Sequence, residues 1–194
     1  MIPTTSPALR EELKKRVKFS SPYQTKVLPI ILTFSQVKYY IFSVAFTSLA
    51  VFVPWFLHQF NLAGPKFLPM HFFILIAGFL FGWRTGIMVG ILSPLMSYSI
   101  SHMPPIFILP ETILELAVYG FSIGLLREKK FNIWIALPLA MILGRLARLI
   151  FIVDFGLKTN FLAYLQMSWP GIVLQLILIP FIVFILQKIV FEKK

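Results

Sequence analysis

Residues 68–86 read LPMHFFILIAGFLFGWRTG. Between Leu68 and Gly82 the only ionisable side chain is His71, and it stands at the front edge beside Pro69. The rest is what a lipid interior accepts, punctuated by Gly78 and Gly82. Backbone polar groups in a bilayer core must be satisfied within their own segment, so this stretch reads as a helix crossing lipid. The glycines, four apart, put small residues on one side of it.

Outward from this stretch the chain keeps the same character. It is 58% hydrophobic and 13% charged, with a mean hydropathy of +0.86. A soluble domain carries far more charge. The apolar runs approach the roughly 20 residues that span a hydrocarbon core as a helix. Alternating ten-residue segments, the mark of a membrane barrel, are absent. The fold expected is an all-α membrane protein, a compact bundle of six transmembrane helices. The spans fall at about 39–57, 69–82, 85–102, 110–126, 132–153 and 170–189. The domain reading is a basic N-terminal segment over 1–37, a transmembrane domain over 38–190 and a tail over 191–194. Within the first segment, SPALREELKKRVKF reads as a helix capped by Ser6 with Pro7 in its first turn. That segment begins polar and basic and is read as carrying no cleavable leader.

Lysine and arginine set the orientation. With the N-terminus inside, the inner segments hold Arg10, Lys14, Lys15, Arg16, Lys18, Lys26, Lys38, Arg84, Arg127, Lys129, Lys130, Lys188, Lys193 and Lys194. The outer loops keep Lys66 and Lys158 alone. This is the positive-inside pattern with both termini cytoplasmic. It accounts for the net charge of +11 without nucleic acid, for which no motif occurs. No cysteine is present, which excludes disulfides and thiolate chemistry. No Walker sequence occurs, so ATP is not expected to bind this chain.

Small residues recur at helical spacing: Gly86 and Gly90, Gly120 and Gly124, and Ala136, Ala140 and Gly144, with Ser93, Ser97 and Ser101 extending one face of the third span. In lipid, helices associate by close backbone approach and dispersion, so these notches argue for tight packing. Pro94 inside the third span removes a helical N–H and is expected to kink it.

Charge appears at one depth. Glu111 and Glu115 share a face of the fourth helix, which Tyr119 continues; Arg145 and Arg148 lie three apart on the fifth, and Asp154 closes it. Ionisable groups there are costly unless paired or wet. An internal salt bridge between Glu115 and Arg148 or Arg145 and a polar binding cavity open to the outside both fit. His58, His71 and His102 also fall on the outer side, but each comes from a different element and no HExxH occurs, so no metal and no other cofactor is expected. Trp55, Tyr164 and Trp169 read chiefly as an interfacial aromatic belt. The segment 154–169, DFGLKTNFLAYLQMSW, reads as a long outer loop.

The run GPKFLPMHFFILIAGFLFGWRTGIMVGILSPLMSYSISHMPP, followed by LPETILELAVYGFSIGLL, resembles the membrane-embedded substrate-binding S components of energy-coupling factor (ECF) vitamin transporters. The resemblance implies high-affinity capture of a small vitamin-like solute at the extracellular side of a prokaryotic plasma membrane. It implies no enzymatic activity. It also implies docking on a transmembrane coupling protein with two ATPase subunits. Docking in that family uses small residues on the first helix in an Ala-x-x-x-Ala pattern. Here Ala45 and Ala50 are five apart, and Ser43 and Thr47 have the family's spacing. By depth and by the family's site location, the substrate-binding candidates are His71, Glu111, Glu115, Tyr119, Arg145, Arg148, Asp154, Asn160 and Trp169. The alternatives are an intramembrane metal-dependent hydrolase and a purely structural membrane protein whose charges form a clamp.

Overall fold

The computed structural model describes residues 34–60, 66–157 and 159–191. The N-terminal helix expected around Ser6 and Pro7, Lys158, and the tail ending in Lys193 and Lys194 lie outside the described residues. Six helices follow in order: α1 (Val37–His58), α2 (Pro69–Phe81), α3 (Trp83–Ser101), α4 (Leu109–Glu128), α5 (Ile133–Asp154) and α6 (Phe161–Phe191). No strand occurs among the described residues. Four of the helices, α1, α4, α5 and α6, are long and apolar enough to cross a membrane. The 13-residue α2 is apolar but shorter.

The opening stretch folds as α2 followed at once by α3, with Gly82 alone between them. Gly82 holds φ at +94°, a conformation that costs a side-chain-bearing residue dearly and glycine little. It is therefore the joint between two helices rather than a notch on the second span. Pro69 opens α2, where its missing N–H has no helical partner to lose.

α4 is the axis of the bundle. It packs against α2, α3 and α5, while α1 covers α2 and α3, and α6 rests on α2 and α5. The glycine notches converge on it. A Cβ at Gly86 or Gly120 would collide with the backbone of the other, and one at Gly90 would meet the Leu116 carbonyl at 2.5 Å. Close helix contact of this kind needs small residues and gains dispersion in return. The core is filled by Ile74, Leu75, Leu116, Ile123, Leu137 and Ile179 among others, all buried. Ile41, Phe52, Ile142, Ile150, Ile177 and Phe184 face outward, as surfaces suited to lipid do.

The last helix differs from expectation. It starts at Phe161 rather than near residue 170, so most of the segment read as a long outer loop is helical. Pro170, a residue type that commonly opens helices, lies inside α6. The helix runs on through it and is anchored just beyond. The N–H of Gly171 donates to the Lys66 carbonyl at 3.0 Å, and Gln175 Nε2 donates to the Leu68 carbonyl at 3.2 Å. Both bonds tie α6 to the segment leading into α2.

Candidate functional site

Glu111 and Glu115 occupy successive turns of α4 on its buried side, and neither is exposed to solvent. Arg148 reaches them from α5. Its Nη1 donates to Glu115 Oε2 at 2.8 Å, and its Nη2 donates to Glu111 Oε1. One guanidinium thus clamps two carboxylates on the neighbouring helix, a geometry that its planar fork suits. Gly144 makes this reach attainable. The Tyr119 ring occupies the space where a side chain at 144 would stand, and the Glu115 carbonyl lies 3.0 Å from that point. The notch on α5 thereby brings the next turn, with Arg145 and Arg148, against the acidic face of α4.

Glu115 is the better satisfied acid. It also accepts from the Tyr119 hydroxyl at 3.3 Å and from the Tyr164 hydroxyl at 3.1 Å. His71 Nε2 stands 3.8 Å from Glu115 Oε2, too far for a hydrogen bond. The Tyr164 ring lies under both arginines, 3.9 Å from the Arg148 guanidinium carbon and 5.2 Å from that of Arg145. Each stacking adds cation–π attraction in a desolvated setting. Several polar atoms have no hydrogen-bond partner: both nitrogens of His71, Glu111 Oε2, Nε of Arg148 and all three guanidinium nitrogens of Arg145. A buried donor or acceptor left in this state costs free energy.

Beside it opens a cavity of about 590 Å³, within the range of small-molecule sites. Its charged and polar lining includes Arg148, His71, Tyr164, His58 and Gln59; Trp55 and Met70 are among its apolar lining; and Ser101 lines it from the end of α3. The ties from α6 to Lys66 and Leu68 hold the wall carrying Pro69, Met70 and His71.

The structure gathers His71, Glu111, Glu115, Tyr119, Arg145 and Arg148 into one cluster. Asp154, Asn160 and Trp169 are exposed and form no hydrogen bond or ion pair with it among the described residues. Asn160 caps α6 instead, its Oδ1 accepting from the Ala163 N–H at 3.0 Å, and Trp169 faces outward at 61% exposure. Tyr164 belongs to the cluster although the sequence reading placed it in a lipid-interface belt. A helix beginning at Phe161 sets it one turn deep, level with Glu115, and that start was hidden by Pro170. Of the docking candidates on α1, Ser43, Thr47 and Ala50 are buried within the bundle and Ala45 faces out. Among the described residues no group of three or more histidines, aspartates or glutamates is arranged to hold a metal ion.

Apolar spanning helices around a buried ion cluster and a solute-sized cavity define a multi-pass helical membrane protein with an internal chamber. A family model described as "ECF transporter, substrate-specific component" matches residues 40–192, and the chain belongs to that family. It is a substrate-binding subunit of a transporter and not an enzyme. Comparison with curated proteins and with solved structures gave no significant match.

Proposed function

We propose that this subunit captures a small water-soluble vitamin or vitamin precursor in the cavity beside Arg148 and delivers it through an ATP-driven importer. The observation that carries the reading is the cavity itself: a chamber of about 590 Å³ whose wall includes an arginine held by two buried carboxylates. A clamp that served packing alone would gain nothing from an adjoining chamber. The chamber opens to the extracellular side, both termini lie in the cytoplasm, and the membrane is the plasma membrane of a prokaryote, as the lysine and arginine distribution favours. Residues 38–190 form the transmembrane domain. The partners are a transmembrane coupling protein and two ATPase subunits, since this chain has no nucleotide-binding motif. Docking uses α1, on whose outward face Ala45 lies.

The test is a thermal-unfolding screen of the purified protein against water-soluble vitamins and their precursors. One compound is expected to stabilise it, by roughly 2.7 kcal/mol at 100 times its dissociation constant. A full panel without a shift would instead favour the structural reading, in which the ion cluster only fixes packing.

A further inference from the structure

One stretch of the chamber wall is held from behind by the middle of α6. Leu68, Pro69, Met70 and His71 line the cavity in succession. The turn that presents them is an unfavourable one. Leu68 has φ +50° and ψ +48°, the left-handed region that a residue with a Cβ seldom enters. It also precedes Pro69, a position that favours extended backbone. Residues in such conformations persist only where their surroundings over-determine them.

Here the surroundings are two positions on α6, neither of which lines the cavity. Gln175 Nε2 donates to the Leu68 carbonyl at 3.2 Å, and the Gly171 N–H donates to the Lys66 carbonyl at 3.0 Å. Gln175 is the one polar side chain between Pro170 and Leu186. It is fully buried, and its Oε1 has no partner. An apolar residue would fill that place without a buried amide to satisfy, so the bond to Leu68 is what the glutamine adds. At Gly171 a Cβ would stand 2.8 Å from the Phe67 carbonyl carbon and 2.9 Å from the Lys66 oxygen. Any side chain there would push the Lys66–Phe67 backbone off the helix.

We infer that Gln175 and Gly171 are positioning residues of the chamber: they latch Leu68 in its left-handed turn, and so hold Met70 and His71 in the wall, without touching the space that they shape. Release of the latch lets Leu68 return to extended backbone and opens that wall. That the wall serves a solute rests on the function proposed above; the latch itself does not.

Because the chain lacks cysteine, the wall can be probed without a solute. A single cysteine replaces Met70, on the latched wall, or Ser101, on the α3 wall. The full chain in lipid nanodiscs is treated with a small water-soluble methanethiosulfonate, and the labelling rate is followed by mass spectrometry. Gln175→Leu should raise the rate at Met70→Cys about tenfold, the size of one hydrogen bond lost, and leave that at Ser101→Cys unaltered. Gly171→Ala should do the same; if it does not fold, Gln175→Leu alone decides. Equal acceleration at both cysteines is general loosening and overturns the latch, as does no acceleration at either. In a screen of water-soluble vitamins, the compound that stabilises the parent should stabilise the Gln175→Leu protein less. Equal stabilisation overturns the latch's part in binding and leaves capture standing. A panel that stabilises neither protein overturns capture but not the latch.

Discussion

Arg148 does two things at once: it pairs with both Glu111 and Glu115, and its side chain contributes to the cavity lining. Its replacement therefore has two readouts. Arg148→Ala leaves two buried carboxylates without their ion-pair partner and should cost about 3–5 kcal/mol of stability. On the proposed function it also weakens ligand binding, which titration of the folded fraction measures separately. Tyr164→Phe keeps the ring under the guanidinium groups but removes the hydroxyl bonded to Glu115. Chemical or thermal denaturation should register a loss of about 1.5–3 kcal/mol, the range for a hydrogen bond to a charged group. Trp169→Ala, at an outward-facing position, should leave affinity unchanged within error. The pairing of acids with bases was legible in the sequence as a shared depth on α4 and α5. Which arginine pairs was not. Spacing along a helix fixes the face but not the reach of a neighbour's side chain. Arg145 and Arg148 are one turn apart, and only the latter meets carboxylates.

At the level of elements, hydropathy placed five helices within a few residues of their ends, because lipid demands long apolar runs and little else competes. It misplaced the start of α6. The stretch from Asn160 to Trp169 mixes aromatic and polar residues ahead of Pro170, and a proline reads equally as a helix opener or as a break inside a helix. The tertiary bonds of Gly171 and Gln175 to the Lys66 and Leu68 carbonyls anchor the helix just past the proline, and no sequence window contains them. The small-residue spacing did show where helices touch. It could not distinguish Gly82, a left-handed joint, from Gly86, a contact with Gly120. Gly120→Ala would push a methyl group into the α3 backbone and should destabilise the protein by at least about 1–3 kcal/mol, read from its unfolding midpoint.

For the whole molecule, orientation in the membrane is open to direct measurement because the chain has no cysteine. Single cysteines at Phe155 and Lys129, both exposed and at opposite ends of α5 and its entry, act as reporters. A membrane-impermeant thiol reagent on intact cells should label Phe155→Cys and reach Lys129→Cys only after permeabilisation. The reverse pattern would put the chamber on the cytoplasmic face. The chamber claim itself is tested most directly by filling it. Ser101→Trp adds bulk at the cavity rim and leaves the Arg148–Glu111–Glu115 cluster untouched. The measurement is the ligand-induced shift in unfolding temperature of this variant beside the parent protein, using whichever compound stabilises the parent. The expected result is an unaltered unfolding temperature without ligand and no shift with it. A shift equal to that of the parent would show that the solute binds elsewhere.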